Sequence, residues 1–208
     1  MKNRTILKLV QTAVLLAILL ILNFTPLGYL KIGIFEISLL TIPVVIGAMI
    51  VGPASGAVLG LAFGVTSYLQ CFGPSAFGTT LNNINPFAQF IVCVPTRVLM
   101  GWLTGVIFKG LKAVDKTKTV CYFASGLIGA LLNTILFMGA LVLFFWRSDY
   151  IQSMAQSAGA ENIFAFIIAM VGLNGIVEMA ASCIIGGGVS KVLSRVMKHS
   201  SDGEYVSN

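Results

Sequence analysis

The chain reads as an all-α membrane protein, a single bundle of six transmembrane helices with both termini on the cytoplasmic side. Three observations predict it. Apolar residues make up 57% of the 208 and charged residues only 10%, too few charges to keep a soluble domain of this size in solution. The apolar residues gather into runs near the roughly 20 that cross a hydrocarbon core of about 30 Å. Ten of the thirteen Lys and Arg residues fall in segments that six spans place on one face, and short basic segments stay inside.

The first span, 6–22, follows Lys2, Arg4 and Lys8 and carries Ala13 and Ala17 four residues apart. It is not a signal peptide, because no small-residue cleavage site follows Leu22 and further spans come after it. Spans two and three, 37–51 and 54–69, are separated only by Gly52-Pro53; the third holds Gly56, Gly60 and Gly64 on one face. Span four, 87–108, repeats the device with Gly101 and Gly105. Small residues at this spacing let a second helix approach closely, here inside the bundle for the glycines and at a partner for the alanines. Lys109, Lys112, Lys116 and Lys118 precede span five, 120–145, and Lys191, Arg195 and Lys198 close span six, 164–193. The chain forms one integral-membrane domain over residues 1–208. Three long connections, 23–36, 70–86 and 147–162, lie on the outer side, where binding and gating concentrate. The second of them is uncharged and rich in Gly, Asn, Thr and aromatics, fit to close over a pocket.

Arg97 and Glu178 are the ionisable residues well inside spans. A charge at the bilayer centre costs about 2.5–3.5 kcal/mol on insertion scales, so each needs a partner or a cavity. Counting about 1.5 Å per residue from Lys109 and from Lys191 puts both roughly 18–20 Å from the cytoplasmic ends, level with Asn133. Asn174 lies one turn from Glu178 on the same face. These residues read either as a buried Arg97–Glu178 ion pair with asparagine hydrogen bonds between helices, or as a polar pocket among spans four to six. The two readings are compatible, and Lys31 or Arg147 offers a further cation to an anionic ligand.

Other classes find little here. No metal-binding cluster, HExxH, GxSxG or P-loop occurs, so neither an enzyme, a cofactor nor self-powered transport is expected. Cys71, Cys93, Cys121 and Cys183 lack metal-ligand spacing and read as small buried residues, and His199 sits alone in a polar tail. The net charge of +6 reports topology; no nucleic-acid motif accompanies it. A scaffold subunit and a stand-alone secondary transporter with Glu178 as proton site are the remaining rivals.

Several fragments in order resemble one family: AxxxA at Ala13 and Ala17, TPLG at 25–28, IP and IG within 42–47, Gly52-Pro53, Asn85-Pro86, and Pro95 with Arg97. They are similar to the substrate-binding S component of energy-coupling-factor vitamin transporters, most of all the pantothenate type. In that family Pro and Arg of the fourth span are usually adjacent, whereas here Thr96 intervenes. The resemblance implies capture of a vitamin from outside, docking of the first span on a transmembrane coupling protein driven by two cytoplasmic ATPases, and release inside after the subunit topples in the membrane. Pantothenate, a monoanion with hydroxyls and an amide, suits Arg97 or Lys31 together with Asn83, Asn85, Asn133 and Asn174. Riboflavin is the alternative, with Phe72, Phe77, Phe87 and Phe90 for stacking. Thiamine, a cation, would need an acidic partner that the outer pocket does not offer.

Overall fold

A computed structural model describes residues 2–25, 28–32, 35–73, 75–117 and 119–203, with the side chains of 2–4, 29–37, 173–174 and 198–203 outside that description. The described chain is almost wholly helical. Helix α1 (Lys2–Phe24) leads into a short antiparallel hairpin of β1 (Tyr29–Ile32) and β2 (Phe35–Ser38), with Lys31 opposite Glu36 in the ladder. Then follow α2 (Thr41–Ile50), α3 (Pro53–Gln70), α4 (Ala76–Ile84), α5 (Pro86–Val114), α6 (Val120–Phe145), α7 (Asp149–Ser157), α8 (Ile163–Ala181) and, after a π-helical turn at Ser182–Gly186, α9 (Gly187–Gly203).

Four helical stretches are long and apolar enough to cross a membrane: Thr5–Phe24, Pro86–Val114, Val120–Phe145 and Gly175–Met197. These differ from the expected six in three places. The second span does not run 37–51: Ile37 and Ser38 belong to β2, and α2 has 10 residues, about 15 Å of helix. It is buried from Thr41 to Met49, so it is apolar on every side as a core helix and not as a lipid-facing one. Helix α3 is long enough, with 18 residues, but its glycines and hydroxyls dilute its apolar content and leave it outside the four. The sixth span is broken rather than continuous over 164–193. Gly172 departs from helical geometry (φ 3°, ψ −114°), separating a short apolar helix at Ile163–Gly172 from the spanning stretch.

The three long connections are structured. One carries the hairpin, and the other two carry α4 and α7, whose aromatic rings Phe77 and Tyr150 meet at 6.1 Å. Local chemistry sets the boundaries. Ser75, Asn85, Ser148 and Asn162 each accept a backbone N–H in the first turn of the helix they precede, satisfying an otherwise orphaned donor. Gly52 turns the chain with φ 129°, a conformation that side chains disfavour, and Pro53 starts α3 at a position that needs no N–H donor. At the end of α5 Asp115 accepts hydrogen bonds from Thr117 and from the backbone N–H of Cys121. These donors hold its carboxyl well below the usual carboxylate range.

Packing is tightest between α3 and α5. A Cβ at Gly60 would meet the Arg97 carbonyl oxygen, one at Gly64 would meet the backbone of Cys93 and Val94, and Gly56 and Gly101 face each other backbone to backbone. The glycine stripes therefore serve contacts within the bundle. Helix α1 buries Leu19 against Leu40, Val44, Leu59 and Phe63, while Val10, Ala13, Val14, Ala17 and Ile21 stay exposed on its other side. A second core joins α4, α5, α6, α7 and α8 through Leu81, Val92, Met138, Ile151 and Phe166.

Candidate functional site

Thr41, Arg97, Asn133 and Glu178, four of the buried polar residues, are carried by α2, α5, α6 and α8. Glu178 is 8% exposed, and its Oε1 accepts from Thr41 Oγ1 at 2.5 Å and from Asn133 Nδ2 at 3.0 Å. Thr41 opens α2, so the carboxylate also lies at the positive end of that helix. One acidic group thus ties the core helix to α6 and α8. A buried carboxylate without donors would be far costlier than one holding two.

Arg97 does not pair with Glu178, contrary to one reading of the sequence. Its Nη1 donates back to the carbonyls of Val92 at 3.0 Å and Cys93 at 3.3 Å, and lies 3.4 Å from Thr96 Oγ1. Side chains on a helix lean toward its N-terminus, and the guanidinium follows that lean up α5, away from Lys109. There it is held between the rings of Phe63 and Phe137, at 4.9 and 4.8 Å from their centroids, an arrangement that suits the delocalised cation. Nε is buried and has no partner among the described residues. No carboxylate among the described residues reaches ion-pair distance of this cation, which is 7% exposed. Its positive charge is solvated by carbonyls and rings instead.

Of the residues expected to bind ligand, Arg97, Asn133 and Glu178 are buried together in this interior. Asn133 keeps Oδ1 without a partner among the described residues while its Nδ2 serves Glu178. Asn85 and Asn83 are exposed; Asn85 caps α5 by accepting from Ala88 N–H, so its side chain is already committed. The side chains of Lys31 and Asn174, and residues Pro26 and Leu27 of the TPLG fragment, lie outside the described residues. Phe72 and Phe90 pack edge-on against Tyr68, Phe77 meets Tyr150 and Phe87 is exposed, whereas the rings against Arg97 are Phe63 and Phe137. Besides Thr41, two amide side chains escaped the sequence reading, Asn82 and Gln89. Both are buried, with Oδ1 and Oε1 unpartnered among the described residues. Gln89 lies four and eight residues before Cys93 and Arg97, the one signal that marked it. Two surface depressions of about 310 Å³ are lined by residues near Trp146 and near Asp115.

The family model described as "ECF transporter, substrate-specific component" matches residues 7–186. The chain is 26% identical over 201 residues to the pantothenate transporter PanT of Leuconostoc mesenteroides, covering 93% of this chain and 95% of that protein. It is also 26% identical over 183 residues to the pantothenic acid transporter PanT of Lactococcus lactis, covering 75% and 86%.

Proposed function

The chain belongs to the family of ECF transporter substrate-specific components, and from this we propose that it captures pantothenate outside the cell and releases it inside after docking on a coupling module with two ATPases. The observation that carries the ligand assignment is Arg97, a buried cation with no carboxylate at ion-pair distance among the described residues. A ligand carboxylate would neutralise it, and charge-assisted bonds to a pre-oriented guanidinium are the strong ones. Asn133 and Glu178 complete the polar floor, with Lys31, Asn83, Asn85 and Asn174 as further proposed contacts from the loops and α8. Helix α4 and the hairpin close the site. The names of the two relatives point to the same vitamin.

Six passes are proposed for the membrane topology, with α2 and the hairpin before it together filling one pass and both termini cytoplasmic. The lysine-rich connection between α5 and α6 then stays inside. Labelling of a cysteine introduced at Lys116 by an impermeant reagent added outside would overturn that arrangement. The ligand is tested by calorimetry on purified protein, with pantothenate, riboflavin and thiamine in parallel. Pantothenate alone should bind. Arg97→Met should remain folded and bind at least about tenfold more weakly, the loss of one ionic hydrogen bond or more. Heat with riboflavin and none with pantothenate would move the assignment to the flavin.

A further inference from the structure

Gln89 is 2% exposed and hydrogen-bonds only through its nitrogen, which donates to Cys71 Sγ at 3.2 Å and Cys93 Sγ at 3.5 Å. Sulfur is a weak acceptor, so these bonds are cheap to give up, and Oε1 has no donor among the described residues. Asn82, 8% exposed, leaves Oδ1 in the same state. Cys71 connects the two amides through α4. Gly78 rests against Cys71 Sγ, and Asn82 follows it by four residues on the same face of the short helix α4. Cys71 in turn accepts from Gln89.

Buried acceptors without donors weaken a fold, and an apolar side chain of equal volume would serve packing better. Their chemistry is that of a site waiting for hydroxyl or amide donors. Gln89 precedes Arg97 by eight residues, about 12 Å along α5, and the guanidinium leans back toward Val92 and shortens that span. We propose that Gln89 and Asn82 form the second end of the ligand site, accepting the hydroxyl donors of a ligand whose carboxylate lies at Arg97. The assignment rests on the pantothenate reading: that molecule carries a carboxylate at one end and two hydroxyls at the other. It also explains how α4 selects a ligand, since a vitamin without the hydroxyl end would leave both amides unpaired beneath it.

The test uses Gln89→Met, close in volume, and reads both calorimetric affinity and melting temperature without ligand. Gln89→Met should bind pantothenate about tenfold more weakly while melting at or above the wild-type temperature. It should bind an N-acyl-β-alanine lacking both hydroxyls as well as the wild type does. Unchanged pantothenate affinity, or equal losses for the two ligands, would overturn the assignment. So would a ligand-free melting temperature that falls in Gln89→Met, which marks a structural amide. Failure of the wild type to bind pantothenate at all is a separate result: it removes the pantothenate reading itself, and this assignment with it.

Discussion

Two buried charges in one bundle invite pairing, yet Arg97 and Glu178 are each satisfied separately. Glu178 holds two neutral donors from neighbouring helices, whereas Arg97 uses its own helix and two rings. The consequence is a division of labour. Glu178 fastens α2, α6 and α8, and Arg97 is the cation proposed above to meet a ligand carboxylate. Removing the carboxylate leaves Thr41 and Asn133 without their acceptor, so Glu178→Ala should cost about 1–3 kcal/mol. For a chain of this length that lowers the melting temperature by roughly 2–12 °C. Glu178→Gln retains an acceptor oxygen for Thr41 and should melt close to the wild type. Thermal unfolding in detergent checks both, and equal losses in the two variants would show that charge rather than hydrogen bonding matters at this position.

At the scale of elements, α3 and α5 are joined by backbone contact where glycines face Arg97, Cys93, Val94 and Gly101. Such an interface excludes even a methyl group. Gly60→Leu would force the two backbones apart at the turn that aims Arg97, so it should reduce both folded yield and pantothenate affinity, whereas the same change at Gly110, with nothing near its Cβ direction, should reduce neither. Size-exclusion profiles and calorimetry on the two variants decide it. The four-residue spacing of these glycines was legible in the sequence, as were the long apolar helices α1, α5 and α6. The short elements were not. Hydropathy sees the apolar run 37–51 as one span because strand and core helix are equally apolar there; β2 and the fully buried α2 share it. The break at Gly172 lies inside an unbroken apolar sequence, and periodicity carries no mark of it. Gln89 and Asn82 were missed for a related reason: an amide at one helix face or at a loop helix looks ordinary until its oxygen is seen without a donor.

For the molecule as a whole, the two halves of the bundle differ in what they present. Thr41, Arg97, Asn133 and Glu178 are carried by α2, α5, α6 and α8, while α1 offers a side on which Val10, Ala13, Val14, Ala17 and Ile21 are exposed. Lipid alone would accept large side chains at Ala13 and Ala17. Two small residues one turn apart instead leave a shallow track in which another helix can lie flush, the arrangement by which membrane helices gain packing without a hydrophobic driving force. Neither alanine is among the residues that α1 packs into the core, which are Leu15, Leu16, Leu19 and Leu22. Substituting both by Leu should therefore leave the isolated protein folded, with pantothenate affinity unchanged. The same variant should fail to co-purify with its transmembrane coupling protein and should not support pantothenate uptake by cells. Because the binding residues proposed above all lie beyond α1, loss of affinity in the isolated double variant would show that the alanine side packs inward during ligand capture and is not the docking surface.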